Sequence, residues 1–317
     1  MRYLFFSNQT WQEPAEFPHR LLPFLIKERG KISPPEHARS SAPANYRRNR
    51  FPREAAPLTI AAVGAGGKTS LLMQLMKECL QLGLRVMVTT TTHMFLPKTH
   101  LTSAAFTGIQ SWSQSSPISC SDSNPVFLGN PVNPPVLQEG WVKCSAPDPE
   151  LFWKLYPDMD VVLVEADGSK RFPVKIPASW EPVIPGCTDL ILAIYGLSSL
   201  GKTLGESCHR WALLGETFPA SHPDDLSRQM LSSRPDDSCQ KPLSSWQITP
   251  KLLGTLMKQN YLDPLGKKYG YPSVIPVWNQ ADTQELTEAA KIAAACCGAS
   301  LQLIPAPQLR SGRWRTL

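Results

Sequence analysis

The run Ala62-Val63-Gly64-Ala65-Gly66-Gly67-Lys68-Thr69 places a lysine and a hydroxyl directly behind closely spaced glycines, a set of groups suited to holding a phosphate chain. Glycine lets a backbone approach an anion closely and take positive φ. A turn that opens a helix adds unpaired N–H groups and the positive end of the helix dipole. In the pattern G-x-x-x-x-G-K-[ST], the lysine reaches the β- and γ-phosphates and the hydroxyl ligates Mg²⁺, roles that fall here to Lys68 and Thr69. The run departs from the pattern at Ala62, which stands at the first glycine. Gly64, Ala65, Gly66, Gly67, Lys68, Thr69 and Ser70 are therefore the candidate contacts to a nucleotide. The competing reading is a glycine-rich turn whose Lys and Thr are merely exposed.

A second constellation follows the apolar run Val161-Val162-Leu163-Val164, in Glu165-Ala166-Asp167-Gly168. An acid immediately after a central strand lies beside a phosphate loop and can hold Mg²⁺ or its waters, and a nearby glycine can offer its amide to a γ-phosphate. Glu165 is the first candidate for the metal, Asp167 for a second ligand, acid or base, and Gly168 for the amide. Asp-Gly is also a common turn pair, which leaves a structural Asp167 open. Beyond it, Lys170, Arg171 and Lys175 make a cationic edge for substrate phosphate or transferred charge, or else a solvated loop face. Glu181 reads as the anchor of a proline-stiffened loop. His209 and Arg210 offer a general acid or base and a finger-like guanidinium, against the alternative of a structural pair. Cys208, beside His209, is an open candidate for handling sulfur or selenium.

A third element, Asn279-Gln280-Ala281-Asp282, ends the apolar run Val274 to Trp278. It resembles the N-K-x-D element of GTPases, in which the Asp reads the guanine edge and the Asn braces the loop. Gln280 replaces the Lys and loses its cation and part of its apolar stem. Equally, Asn279 and Asp282 can cap the helix expected from Thr283 to Cys297. The nucleotide is therefore GTP or ATP, with Mg²⁺.

The elements that must position these groups are legible. Leu71, Leu72, Leu75, Met76, Cys79 and Leu80 recur with helical spacing after Thr69, and Gly83 closes the run. Strands are expected at Leu58, Val86, Val161, Leu190 and Val274, with a last one at Leu301 to Ile304. Helices between several of them call for a mainly parallel sheet covered on both faces, an α/β three-layer P-loop NTPase domain over residues 58–317. Residues 1–57, with ten Lys/Arg against five Asp/Glu and eight prolines, read as a basic, Pro-rich, partly disordered extension in which Phe17 to Ile26 can form a short helix. Irregular insertions are expected near 111–135 and 219–245.

The net charge of +6 lies almost wholly in that extension, so the near-neutral body argues against a nucleic-acid surface. No run of about 18 apolar residues suggests a membrane span, and the opening residues are too short an apolar stretch for a signal peptide. Eight cysteines without a C-x-x-C pair fit reduced thiols in cytoplasm.

The series GAGGKTS, VTTTTHMFLP, VLVEADGSKRFPVKIPASWEPVIP, GLSSLGKTLGESCHR and NQAD, in this order, resembles the YqeC family, named for accessory proteins of selenium-dependent hydroxylases and for selenium cofactor biosynthesis. The resemblance runs from about Leu58 to near Leu303. It implies a P-loop NTPase acting in maturation of selenium-dependent molybdenum hydroxylases, with those hydroxylases or enzymes of the molybdenum cofactor as partners. The E-x-x-G arrangement at Glu165 to Gly168 is also similar to metal-insertion GTPases, a likeness of fold and site only. Where those proteins often carry an acid after the second strand, this chain offers Thr89 to Thr92 and His93. The expected activity is a Mg²⁺-dependent NTPase; the alternatives are a non-hydrolysing nucleotide-dependent adaptor and a small-molecule phosphotransferase.

Overall fold

A run that is apolar at every position has no face to give to water, and such runs form the centre of a parallel sheet in the computed structural model. The structure describes residues 2–7, 10–12, 21–29, 57–98, 101–102, 125–217, 242–269, 274–299 and 302–306. The first elements are strands β1 (Arg2–Ser7) and β2 (Thr10–Gln12) and helix α1 (Leu22–Arg29). Next come β3 (Leu58–Gly64), α2 (Lys68–Gln81), β4 (Val86–Thr90), β5 (His93–Pro97) and β6 (Leu101–Thr102). Four short strands follow, β7 (Val126–Leu128), β8 (Asn130–Pro131), β9 (Leu137–Gln138) and β10 (Trp141–Ser145), and then α3 (Pro149–Leu155). The middle of the chain holds β11 (Val161–Glu165), β12 (Val174–Lys175), β13 (Leu190–Gly196), α4 (Leu204–Ser207) and β14 (Cys208–His209). The last part has α5 (Pro250–Met257), α6 (Asp263–Tyr269), β15 (Val274–Asn279), α7 (Gln284–Cys297) and β16 (Gln302–Ala306).

The main sheet runs β2-β1-β16-β15-β13-β3-β11-β4-β7-β6. All pairs from β16 to β6 are parallel, and β1 and β2 join antiparallel at one edge. The chain visits β4 and then β11 on one side of β3 before crossing to β13 on the other. The carboxyl ends of β3, β11, β13 and β15 thus open a crevice at a reversal of strand order, the place where open α/β sheets bind ligands.

Alternation along the strands divides the core into two faces. Ile60, Ala62, Leu163, Leu192 and Ile194 pack with α2 and α1 on one side. Ala61, Val63, Ile191 and Ala193 pack with α5 and α7 on the other, where α3 covers Val162 and Val164. Helices on both faces make three layers, the expected α/β architecture. A small antiparallel sheet, β5-β10-β8 with β9 on β10, lies on the α2 side, its Met94, Leu96, Val142 and Cys144 buried in that core.

The first residues differ from the reading of an appended arm. β1 and β2 extend the main sheet, and α1 spans Leu22–Arg29 rather than Phe17 to Ile26. Leu21, Leu22 and Leu25 are fully buried, and Glu78 of α2 accepts 2.8 Å hydrogen bonds from the Leu21 and Leu22 amides, two of the orphan N–H groups at the start of α1. Nothing local signals this, because the partner lies 57 residues away. The stretch 111–135 needs a similar correction. Its end supplies β7, a buried strand between β4 and β6 too short for periodicity to reveal. Most of 219–245 and all of residues 30–56 lie outside the described residues. Among the described residues, no helix is long and apolar enough to cross a membrane.

Candidate functional site

The glycine-rich turn joins β3 to α2, and the helix begins at Lys68 with Gly67 as its N-cap at φ 112°. The N–H groups of residues 67–70 belong to the first turn and have no intrahelical acceptor, and no side chain caps them. The loop is shaped by close approach. A Cβ on Gly66 would lie 2.3 Å from the Gly196 nitrogen and 2.8 Å from the Pro173 oxygen, and φ there is +79°. Gly66→Ala therefore combines left-handed strain with a backbone clash, and we expect a loss of about 2–5 kcal/mol of stability. Urea unfolding checks this; a variant within about 1 kcal/mol of the parent would show that the loop yields easily.

Not every loop amide faces the crevice. The Gly64 N–H donates to Asp167 Oδ2 (3.0 Å), Ala65 N–H to the Ile194 carbonyl (2.8 Å) and Gly66 N–H to the Phe172 carbonyl (3.1 Å). These three hold the loop, leaving Gly67 to Ser70 as the groups disposed toward a ligand. Lys68 arches back, its Nζ 2.6 Å from the Gly64 carbonyl and 3.2 Å from Asp167 Oδ1. Parallel register places β11 beside β3, so that Glu165 reaches the loop and accepts a 2.6 Å hydrogen bond from the Thr69 hydroxyl. Burial is the leading cause that holds the Glu165 carboxyl above the usual carboxylate range, with Lys68 and Thr69 pulling the other way.

Asp167 is fully buried. Its Oδ2 accepts from Gly64 and from the Tyr261 hydroxyl (3.1 Å) and lies 3.4 Å from Lys175 Nζ. Among the described residues Oδ1 has no directed hydrogen bond, and its partner is the Lys68 ammonium. Tyr261 comes from a π-helical turn, Lys258–Leu262, between α5 and α6. Lys175, expected on the cationic edge, is fully buried and continues the chain of charge. Its Nζ lies 2.6 Å from the Gly168 carbonyl and 2.9 Å from Glu181, which also pairs with Arg210 and accepts from the Ala178 amide. Glu181 is thus an anchor between β12 and the His209-Arg210 segment. β12 pairs with β14, bringing His209 opposite Lys175.

A crevice of about 700 Å³ connects these parts. Its lining includes Gly66, Gly67, Lys68, Thr69, Ser70, Glu165 and Gly168, together with Lys170, Arg171, Glu181, His209 and Arg210. Asp167 lies beneath the surface rather than on it. The His209 ring stacks on Phe172 at 5.8 Å, and burial followed by the nearby Arg210 charge holds its pKa below the usual value. Cys208 is buried and its thiol is pushed up to about 12 by burial, which withholds the thiolate. Asn279 donates to the Gly66 carbonyl (2.8 Å), and it is Thr283 that caps α7, accepting from the Leu286 amide. Gln280 lines the crevice, while Asp282 is exposed beyond it.

Sequence reasoning passed over Lys143, which reaches the crevice from β10 together with His93, Met94 and Phe95 of β5, and it passed over Tyr261. Spacing carries no signal for Lys143 or Tyr261. The THMF segment was visible only as part of a resemblance. Among the described residues, no group of three His, Cys, Asp or Glu could hold a metal ion.

The fold and site define an α/β protein with a glycine-rich strand–loop–helix unit at the switch point of a parallel sheet. Residues 60–212 match the family model described as YqeC protein. The Escherichia coli (strain K12) protein described as "Uncharacterized protein YqeC" is 37% identical over 166 residues, covering 49% of this chain. This segment is similar to the YqeC family, and the chain spans 59% of the length of that curated relative. No solved structure matches.

Proposed function

We propose that the protein is a P-loop nucleotide-binding protein that takes a Mg²⁺–nucleoside triphosphate and hydrolyses it in the service of maturing the selenium or molybdenum cofactor of selenium-dependent hydroxylases. The observation that carries the nucleotide reading is that Lys68, Thr69, Glu165 and the orphan amides of residues 67–70 come together in the lining of one crevice. The cofactor role rests on the family resemblance alone. Lys68 would exchange the Gly64 carbonyl for phosphate oxygens, and the amides would hold the chain beside them.

Mg²⁺ fits the donors present. Adjacent ligands of an octahedral Mg²⁺ are about 3 Å apart, and the Thr69 and Glu165 oxygens stand 2.6 Å apart, so a small relaxation admits the ion between them. With only these two protein oxygens, phosphates and waters would complete the shell, as is usual for this metal. Bound there, Mg²⁺ supplies charge neutralisation for the phosphoryl oxygens. Because the Glu165 pKa is raised, stability that this group confers while protonated is lost as pH rises through its folded-state value. Mg²⁺ takes the ionised form, so the stabilisation it confers should be greater at about pH 8 than at about pH 5. Melting curves with and without Mg²⁺ at both values test this, and an equal gain at each would remove Glu165 from the metal site.

Calorimetry with Mg²⁺–GTP and Mg²⁺–ATP, with phosphate release followed in the same samples, tests the main reading. Binding with turnover supports the NTPase, binding without turnover the adaptor, and no binding rejects both. Asn279 on the Gly66 carbonyl favours a base-side role for its segment. Asp282→Ala should weaken GTP about tenfold or more and leave ATP nearly unchanged if Asp282 reads guanine. Equal losses reject that assignment.

A further inference from the structure

We propose that the crevice holds two anionic ligands at once, the cluster of Lys143, Lys170, Arg171 and Arg210 being a separate site for a small molecule that carries a phosphate-class oxyanion. This rests on the nucleotide reading only in assigning the glycine-rich loop to the triphosphate. The charges are unevenly divided. On the loop side, Lys68 stands against the carboxylates of Glu165 and Asp167, a balance that a divalent cation and a phosphate chain can complete. Lys143, Lys170, Arg171 and Arg210 share the crevice lining with one carboxylate besides Glu165, namely Glu181, which the fully buried Lys175 already engages.

Only Arg210 of these four cations has a carboxylate partner, Glu181, among the described residues. Arg171 donates to the neutral Gln138 side chain and lies over the Phe95 ring at 6.0 Å. Arg210 lies over the Trp180 ring at 5.7 Å besides pairing with Glu181. Lys143 and Lys170 make no ion pair among the described residues. Lys170, Arg171 and Arg210 also take φ of 49°, 67° and 64°, a region that non-glycine residues enter at a cost. These cations come from three separate parts of the chain, β10, the loop after β11 and the end of β14, and they meet only in the fold. An oxyanion placed among them would meet fixed guanidinium donors and ammonium charge, the arrangement proteins use for phosphate groups.

The test uses the full chain and inorganic pyrophosphate as the probe, titrated calorimetrically with and without a saturating, non-hydrolysable triphosphate analogue and Mg²⁺. Wild-type protein should take up pyrophosphate at two places, and the analogue should displace one and leave the other. A Lys170→Ala/Arg171→Ala double variant, and independently Lys143→Met, should weaken the remaining binding about tenfold or more while changing analogue affinity by no more than about twofold. Circular dichroism confirms that each variant is folded, and Lys143 stands on β10 while the other two lie in the turn after β11, so one lesion can replace the other. Complete displacement of pyrophosphate by the analogue, undiminished binding in both variants, or no pyrophosphate binding at all would each overturn the proposal. If the analogue fails to bind, the nucleotide reading falls. Pyrophosphate binding by Lys68→Ala protein then reports the cation cluster alone, and its loss in the cluster variants still supports the second site.

Discussion

Lys68→Ala should lower affinity for Mg²⁺–GTP or Mg²⁺–ATP by about 100-fold or more while leaving the protein folded. A hydrogen bond to a charged group contributes about 1.5–3 kcal/mol, and the Lys68 ammonium can meet more than one phosphate oxygen in a site that is already shielded from water. Lys68 is only 3% exposed, so its charge is poorly screened and its removal is felt in full. The fold tolerates the loss because Asp167 keeps Lys175 at 3.4 Å, the Gly64 amide and the Tyr261 hydroxyl. The stability cost should therefore stay near 1–3 kcal/mol, roughly that of one hydrogen bond left unmade at a buried group. Calorimetry and urea unfolding on the same preparation separate the two effects. Affinity within about threefold of wild type would show that Lys68 serves only to brace the Gly64 carbonyl.

Asp167→Ala should have the opposite signature, a loss of about 3–5 kcal/mol of stability, the usual cost of removing one partner from a buried charge pair. Two ammonium groups, Lys68 and Lys175, would then face each other without the fully buried carboxylate that joins them. The Gly64 amide and the Tyr261 hydroxyl would lose their acceptor as well. Asp167→Asn keeps an acceptor for one of these but not the charge, and it should fall between wild type and alanine. Denaturant midpoints for the three proteins give the order. An alanine variant within about 1 kcal/mol of wild type would mean that Lys175 and Glu181 carry the network without Asp167. On this account Asp167 is a positioning residue for Lys68 and the loop, and under the proposed function Glu165, which lines the crevice, would be the carboxylate to meet a metal.

The strongest sequence signals were those in which a local pattern leads to a single packing. The continuous apolar runs at Val161 and Leu190 point to strands buried on both faces, and they form central strands. Spacing of the leucines after Thr69 could only be a helix with one buried face, and α2 ends at Gln81 two residues before Gly83. The strand, loop and helix around Lys68 were therefore legible from sequence, as were Glu165 and Asn279 at the ends of their strands. Elements too short for a period were not. β7 has three residues and β12 and β14 have two each, and their conformation is set by the strand beside them.

Residue types and spacing thus determined the α/β class, the parallel core and the glycine-rich turn with its lysine and threonine, because each depends on neighbours within a few positions. Tertiary structure alone decided the division of labour among the charged groups. Glu165 and Asp167 are two residues apart and chemically alike, yet one lines the crevice and the other is sealed beneath it. Lys170 and Lys175 differ in the same way, one exposed and one buried between two carboxylates. The physical reason is that burial and charge pairing depend on elements distant in sequence. Tyr261 arrives from a turn 94 residues beyond Asp167, and Glu181 is held by Lys175 of β12 and by Arg210, which follows the neighbouring strand β14.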